Sequence, residues 1–140
     1  MTHKNETFFT VVGCMDGRVQ RPIAEYGKQK FGAEFPDTIT EAGLVGQLAK
    51  ELVDPHLLES LRFKIIDVSI GKHNSCGILV HGHEECAGNP VSNERQKDDI
   101  RISVKKITEM IGSSLPVVGV FVKRSGLDWI VEEVPQSVTV

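Results

Sequence analysis

No stretch of this chain approaches the roughly 20 consecutive apolar residues that a membrane-crossing helix needs. Aromatic side chains are scarce, at 6%, with one tryptophan and one tyrosine. Positive charge is not in excess either. The chain carries 16 basic and 19 acidic residues, a net charge of -3, which argues against nucleic acid or an anionic membrane surface as a partner. The first residues, Met1 to Glu6, lack the charged-then-apolar layout of a secretory leader, so a cytoplasmic protein is expected. Cysteine is sparse: Cys14, Cys76 and Cys86. Three such residues in a cytoplasmic chain make a poor disulfide framework and direct attention to metal binding or thiol reactivity. No repeat, low-complexity tract or linker breaks the sequence. Its 140 residues, 40% hydrophobic and 25% charged, fit a single domain over 1–140 with a real core.

The apolar segments alternate between two periods. Phe8–Val12 is short, aromatic and β-branched, as a buried strand requires, and runs into a glycine-flanked turn at Gly13–Arg18. Pro22 suits the first turn of a helix that Gly27 or Gly32 would end. Asp37–Gly43 reads as a second strand. Leu44, Val45, Leu48, Ala49, Leu52 and Val53 predict a helix, and Leu57, Leu58, Leu61, Ile65 and Val68 predict another after Pro55, with Gly71 as its cap. Ile78–His81 is a third strand that leads into Gly82–Cys86. Ile100, Val104, Ile107 and Ile111 mark a long helix, with Asp98 and Asp99 expected near its start and Gly112 after its end. Val117–Val122, a turn over Lys123–Asp128, and Trp129–Val134 predict a closing hairpin. The fold class is therefore α/β, with a mostly parallel central sheet of about four or five strands. The last strand is antiparallel and helices flank the sheet. Such sheets place chemistry beyond the carboxyl ends of their strands, where both Cys14 and the His83–Cys86 segment fall.

Cys14, His83 and Cys86 offer a Cys₂His set, which is the donor chemistry of a zinc site with three protein ligands and an open fourth position. A His-x-x-Cys pair alone is equally the pattern of a buried structural cysteine. Asp16 and Arg18 are two residues apart, so on extended backbone they project together and can pair bidentately. A plain surface ion pair would show the same spacing. His81, two before His83, is read as a packed histidine, with a group behind the metal or a proton shuttle as the alternative. Cys76 is expected as a small buried hydrophobe. His56 and His73 are expected at the surface, His3 in a mobile terminus, and Glu84 and Glu85 as solvated loop charges.

Cys14-Met15-Asp16-Gly17-Arg18 resembles the Cys-x-Asp-x-Arg motif of the β-class carbonic anhydrases, and His83-Glu84-Glu85-Cys86 resembles their His-x-x-Cys motif. The element order is similar too, so the resemblance runs from about Phe8 to Val134. It implies a Zn²⁺ held by Cys14, His83 and Cys86, with the Asp16–Arg18 dyad beside it. It further implies hydration of carbon dioxide to bicarbonate by a zinc-bound hydroxide, or hydrolysis of carbonyl sulfide or carbon disulfide at the same zinc, and a homodimer or higher homo-oligomer. In some members the aspartate takes the fourth zinc position and releases its arginine. The chain departs from the family in several places. Gly17 stands where serine is usual. Thr40-Glu41-Ala42-Gly43 replaces Arg-Asn-Ala-Gly, which brings a carboxylate to the expected pocket residues Glu41, Ala42 and Gly43. Ala87 precedes Gly88 where glycine usually follows the second cysteine. Most of an N-terminal arm and the family's inter-subunit glutamine have no counterpart, since Gln20, Gln29 and Gln47 fit no such position. A non-catalytic zinc protein, or a metal-free Cys14 nucleophile with His83 as its base, are the competing readings.

Overall fold

The computed structural model describes residue 3 and residues 5–136; Met1, Thr2 and Lys4 of the segment read for a leader lie outside them. Strand β1 (Phe8–Cys14) is buried along almost its whole length. Its residues alternate between two cores: Phe9 and Val11 enter one, Val12 the other. That double burial explains its largely apolar sequence, in which the buried Thr10 is satisfied by the Ser69 and Ser75 hydroxyls. β2 (Phe35–Glu41), β3 (Ile78–His83), β4 (Val117–Ser125) and β5 (Asp128–Val134) complete one sheet of order β2-β1-β3-β4-β5. All pairings are parallel except β4 with β5. β1 and β3 lie side by side at the centre, so their carboxyl ends open at the same edge.

The crossover helices cover both faces. On one face, α1 (Gln20–Phe31) buries Ile23 and brings Gly27 against the Phe9 ring, where any Cβ would collide. Gly27 is thus a packing position inside the helix, and Gly32, at φ 65°, ends it. On the other face lie α2 (Leu44–Leu48), α3 (Pro55–Arg62), a π-helical continuation over Phe63–Ile70, and α4 (Asn93–Ile111). Leu44, Leu48, Leu61, Ile65, Ile100 and Ile107 pack there against Val12, Ile78 and Val80. Each such buried aliphatic side chain contributes about 1.5–3 kcal/mol relative to exposure. Among the described residues no helix is long and apolar enough to cross a membrane.

Several expectations need correction. The helix expected from Leu44 to Val53 stops at Leu48, and Leu52 is 89% exposed. Lys106 of α4 donates to the carbonyls of Leu48 and Lys50 at 2.7 Å each, satisfying from outside the groups another turn would have satisfied. The helix starts sooner at α4: Ser92 caps it by accepting from the Arg95 amide, so Asp98 and Asp99 sit in its second turn. Asp99 is buried and bonded to Arg95 and Asn89 at 3.0 Å each. The hairpin turn is Gly126–Leu127, because β4 continues to Ser125. Cys76 is exposed. His73 is half-buried: it pairs with Asp37 at 2.8 Å and stacks on Phe8.

Candidate metal centre

β1 ends at Cys14 and β3 at His83, adjacent strands at one edge of the sheet. After His83 the chain turns at once, with Glu85 in the left-handed region at φ 58°. That turn folds Cys86 back towards Cys14, and their sulfurs stand 3.7 Å apart. The ligand atoms of Cys14, His83 and Cys86 all lie within 4.8 Å of one another, and all three residues are buried. Two sulfurs on one tetrahedral zinc, each at about 2.3 Å, would stand about 3.8 Å apart, so the sulfur pair fits that ion. The imidazole fits as well. His83 Nδ1 lies 2.7 Å from the Glu84 carbonyl, an acceptor only, so Nδ1 carries the proton. Nε2 is left buried without a partner, which is the tautomer a metal ligand needs.

The thiols are poised differently. Burial pushes Cys14 up, but His83 and the backbone amides of Gly43 and Asp16 outweigh it and bring the thiol down to about 7. The Gly43 amide donates to Cys14 Sγ at 3.4 Å. Cys86 is pushed up by burial and by the neighbouring Cys14. A metal ion would take both as thiolates.

Asp16 lies beside this set, its Oδ2 3.9 Å from His83 Nε2. Arg18 holds it bidentately, Nη2 to Oδ2 at 2.8 Å and Nε to Oδ1 at 3.1 Å, and the Arg18 amide adds a third bond at 2.9 Å. The guanidinium keeps the Asp16 carboxyl at about 2, so Asp16 is an ionised acceptor.

The sequence did not single out what braces these residues. Gln20 donates from Nε2 to the carbonyls of Cys14 (2.9 Å) and Asp16 (2.7 Å), pinning the Cys14–Arg18 turn to the start of α1. Gly43, at φ 60°, lies against Gly88 so closely that a Cβ on either would meet the other segment's backbone. The displaced glycine after Cys86 therefore serves a contact between the loops after β2 and β3. Gln96 donates to the Asn89 carbonyl at 2.8 Å and secures the loop that follows. Glu41 and Ala42 are exposed. Glu41 aligns with Cys14 across the sheet, and its carbonyl accepts from the Met15 amide at 3.2 Å. His81 is fully buried behind the centre, on the same strand as His83. Neither of its ring nitrogens has a partner, and its ring lies against Gly13 where a Cβ would collide. Burial pushes it down to about 3, so it is neutral.

Glu84 and Glu85 are not free loop charges. Glu84 accepts from the Arg124 amide at 2.9 Å and from Asn93 at 3.1 Å. Glu85 accepts from the Arg124 guanidinium at 2.7 and 3.0 Å and from Arg18 at 3.5 Å. Both guanidinium groups lie over the Trp129 ring, Arg18 at 4.7 Å and Arg124 at 4.5 Å. A +1/−1 charge pattern 39 residues apart gives no local signal, which is why these partners are invisible until the hairpin is folded.

A family model described as "Putative carbonic anhydrase" matches residues 4–135. The structure of the β-carbonic anhydrase CafA of the fungal pathogen Aspergillus fumigatus shares the fold, with a TM-score of 0.59 at 14% identity, covering 96% of this chain and 78% of that one. No curated protein matches the chain. With its model matched over nearly the whole sequence, the chain belongs to the family described as "Putative carbonic anhydrase".

Proposed function

We propose that this protein is a zinc-dependent carbonic anhydrase, interconverting carbon dioxide and bicarbonate. Cys14, His83 and Cys86 are its metal ligands and Asp16 with Arg18 its catalytic dyad. The observation that carries the reading is the placement of Asp16: an ionised carboxylate, locked by Arg18, 3.9 Å from the one unpartnered nitrogen of the Cys₂His set. A purely structural zinc site has no use for such a group. Zinc bound there supplies a Lewis acid that brings the ionisation of a water within reach of neutral pH.

The residues of the chain do the rest. Asp16 Oδ2 accepts a hydrogen bond and so aims the attacking oxygen; a carboxylate locked in two guanidinium bonds serves as acceptor and not as proton carrier. Arg18 fixes that aim through paired bonds, a geometry lysine could not reproduce. The Glu84 carbonyl fixes the His83 ring. The close approach of Gly43 and Gly88 keeps the loops after β2 and β3 together, and the Gly43 amide donates to Cys14 Sγ.

Assembly follows the same reading. β5 is one of the two edge strands, and Leu127 and Ile130 are exposed on it or beside it. A second copy along this edge would cover them. A single monomeric peak in sizing across the micromolar range would remove the dimer.

The test of function is stopped-flow carbon dioxide hydration on protein of measured zinc content. Turnover that scales with zinc supports the reading. A zinc-replete protein without turnover would overturn it, and hydrolysis of carbonyl sulfide or carbon disulfide by the same sample would then name the substrate.

A further inference from the structure

Arg18 is held at both ends of its guanidinium. Asp16 takes Nε and Nη2 on the inner side. On the outer side Glu85 takes Nη2 through its carbonyl at 3.2 Å and Nη1 through its carboxylate at 3.5 Å. The Glu85 carboxylate is gripped in turn by Arg124, bidentately, at 2.7 and 3.0 Å. The four groups alternate in sign, Asp16, Arg18, Glu85, Arg124, and both arginines lie on Trp129. An isolated exposed ion pair contributes little. Here two chelating contacts and an aromatic floor restrict the same guanidinium, and that converts weak pairs into a fixed position.

We propose that Glu85, anchored by Arg124 from the β4–β5 hairpin, is a positioning residue that keeps Arg18 on Asp16 and so keeps Asp16 off the metal. The inference rests on the assignment of Cys14, His83 and Cys86 as ligands and of Asp16–Arg18 as the dyad. With Oδ2 3.9 Å from His83 Nε2, Asp16 needs only a small movement to compete for the fourth coordination position. Bonds from Arg18 oppose that movement, and bonds from Glu85 oppose the movement of Arg18.

The test uses protein loaded with Co²⁺, whose visible spectrum reports coordination, and azide as an exogenous ligand for the fourth position. Azide affinity is compared in the wild type, Glu85→Gln, and the exchanged pair Glu85→Arg/Arg124→Glu. The expected result is that Glu85→Gln takes up Co²⁺ fully but binds azide about tenfold more weakly, the order of effect of partners behind a metal's ligands. The exchanged pair should bind azide as weakly, because it restores an ion pair in the loop while presenting Arg18 with a like charge. Wild-type azide affinity in Glu85→Gln would overturn the proposal. So would recovery in the exchanged pair, which would make the contact a loop brace only, or loss of Co²⁺ uptake in Glu85→Gln, which would place Glu85 in support of the ligands. Wild-type protein that binds Co²⁺ and azide yet hydrates no carbon dioxide would remove the substrate assignment and leave this comparison standing.

Discussion

At the scale of single residues, the proposed site divides into groups assigned to hold a metal and groups assigned to aim the chemistry. Cys14 and Cys86 face each other at 3.7 Å, and a serine hydroxyl in place of Cys14 is a poor thiolate substitute. Cys14→Ser is expected to lower zinc content well below one per chain by metal analysis; full occupancy would remove Cys14 from the ligand set. Asp16→Asn keeps the side-chain shape but loses the charge that pairs with Arg18, and its NH₂ cannot accept. It should retain zinc and lose about tenfold to a hundredfold in kcat/KM; unchanged turnover would remove Asp16 from the dyad. His81 falls on the other side of the division. Both of its nitrogens are buried without partners, so no hydrogen-bonded route links it to the centre and the proton-shuttle role is not proposed. An unpaired buried polar group costs about 1–3 kcal/mol. His81→Leu should therefore equal or exceed the wild type in urea midpoint with turnover intact, and a large loss of turnover would restore the shuttle.

At the scale of elements, what the sequence made legible was whatever depends on neighbours in the chain. β1 and β3 announced themselves by short β-branched runs, and Cys14 and His83 followed from their ends. α4 starts earlier than its apolar stripe from Ile100 marks, because Ser92 caps it, its hydroxyl accepting the Arg95 amide at 3.2 Å. α2 is shorter than its periodicity predicts, because Lys106 arrives from another helix to take the carbonyls a further turn would have used. The Glu85–Arg124 contact is likewise set by tertiary placement, whereas the bracing by Gln20 is local, four and six residues from the carbonyls it holds, but glutamine in a turn carries no distinctive spacing signal. A prediction at this scale concerns the paired glycines. Gly43 sits at φ 60° with the Gly88 backbone against its missing Cβ. Gly43→Ala combines a left-handed alanine, about 1–2 kcal/mol, with overlap that forces the loops after β2 and β3 apart. It is expected to lower the urea midpoint by an amount equivalent to about 2 kcal/mol or more and to reduce zinc content. A variant as stable and as metal-replete as the wild type would show that the two loops can separate without disturbing the centre.

At the scale of the whole molecule, the proposed metal centre lies at the rim of a core that does not depend on it. The two apolar clusters run along both faces of the sheet from α1 to α4, whereas Cys14, His83 and Cys86 gather only the ends of two strands and one turn. Removing zinc should therefore leave the fold and lower its stability. A ligand present at about 1,000 times its Kd contributes about 4 kcal/mol, which for a chain of this size corresponds to roughly 8–16 °C in Tm. The sign of the pH dependence follows from the ligands. With zinc bound as proposed, the folded state would hold two thiolates and a neutral imidazole while the unfolded chain binds more protons at those groups, so the zinc contribution should grow as pH rises and fade as it falls. Far-UV circular dichroism with and without a chelator, at two pH values, measures both effects. The expected outcome is native ellipticity in each sample and a Tm gap between zinc-loaded and stripped protein that widens from pH 6 to pH 8. Loss of the sheet signal on chelation would instead make zinc part of the core, as in small metal-folded domains. An unchanged Tm would mean that the three side chains hold no metal at all.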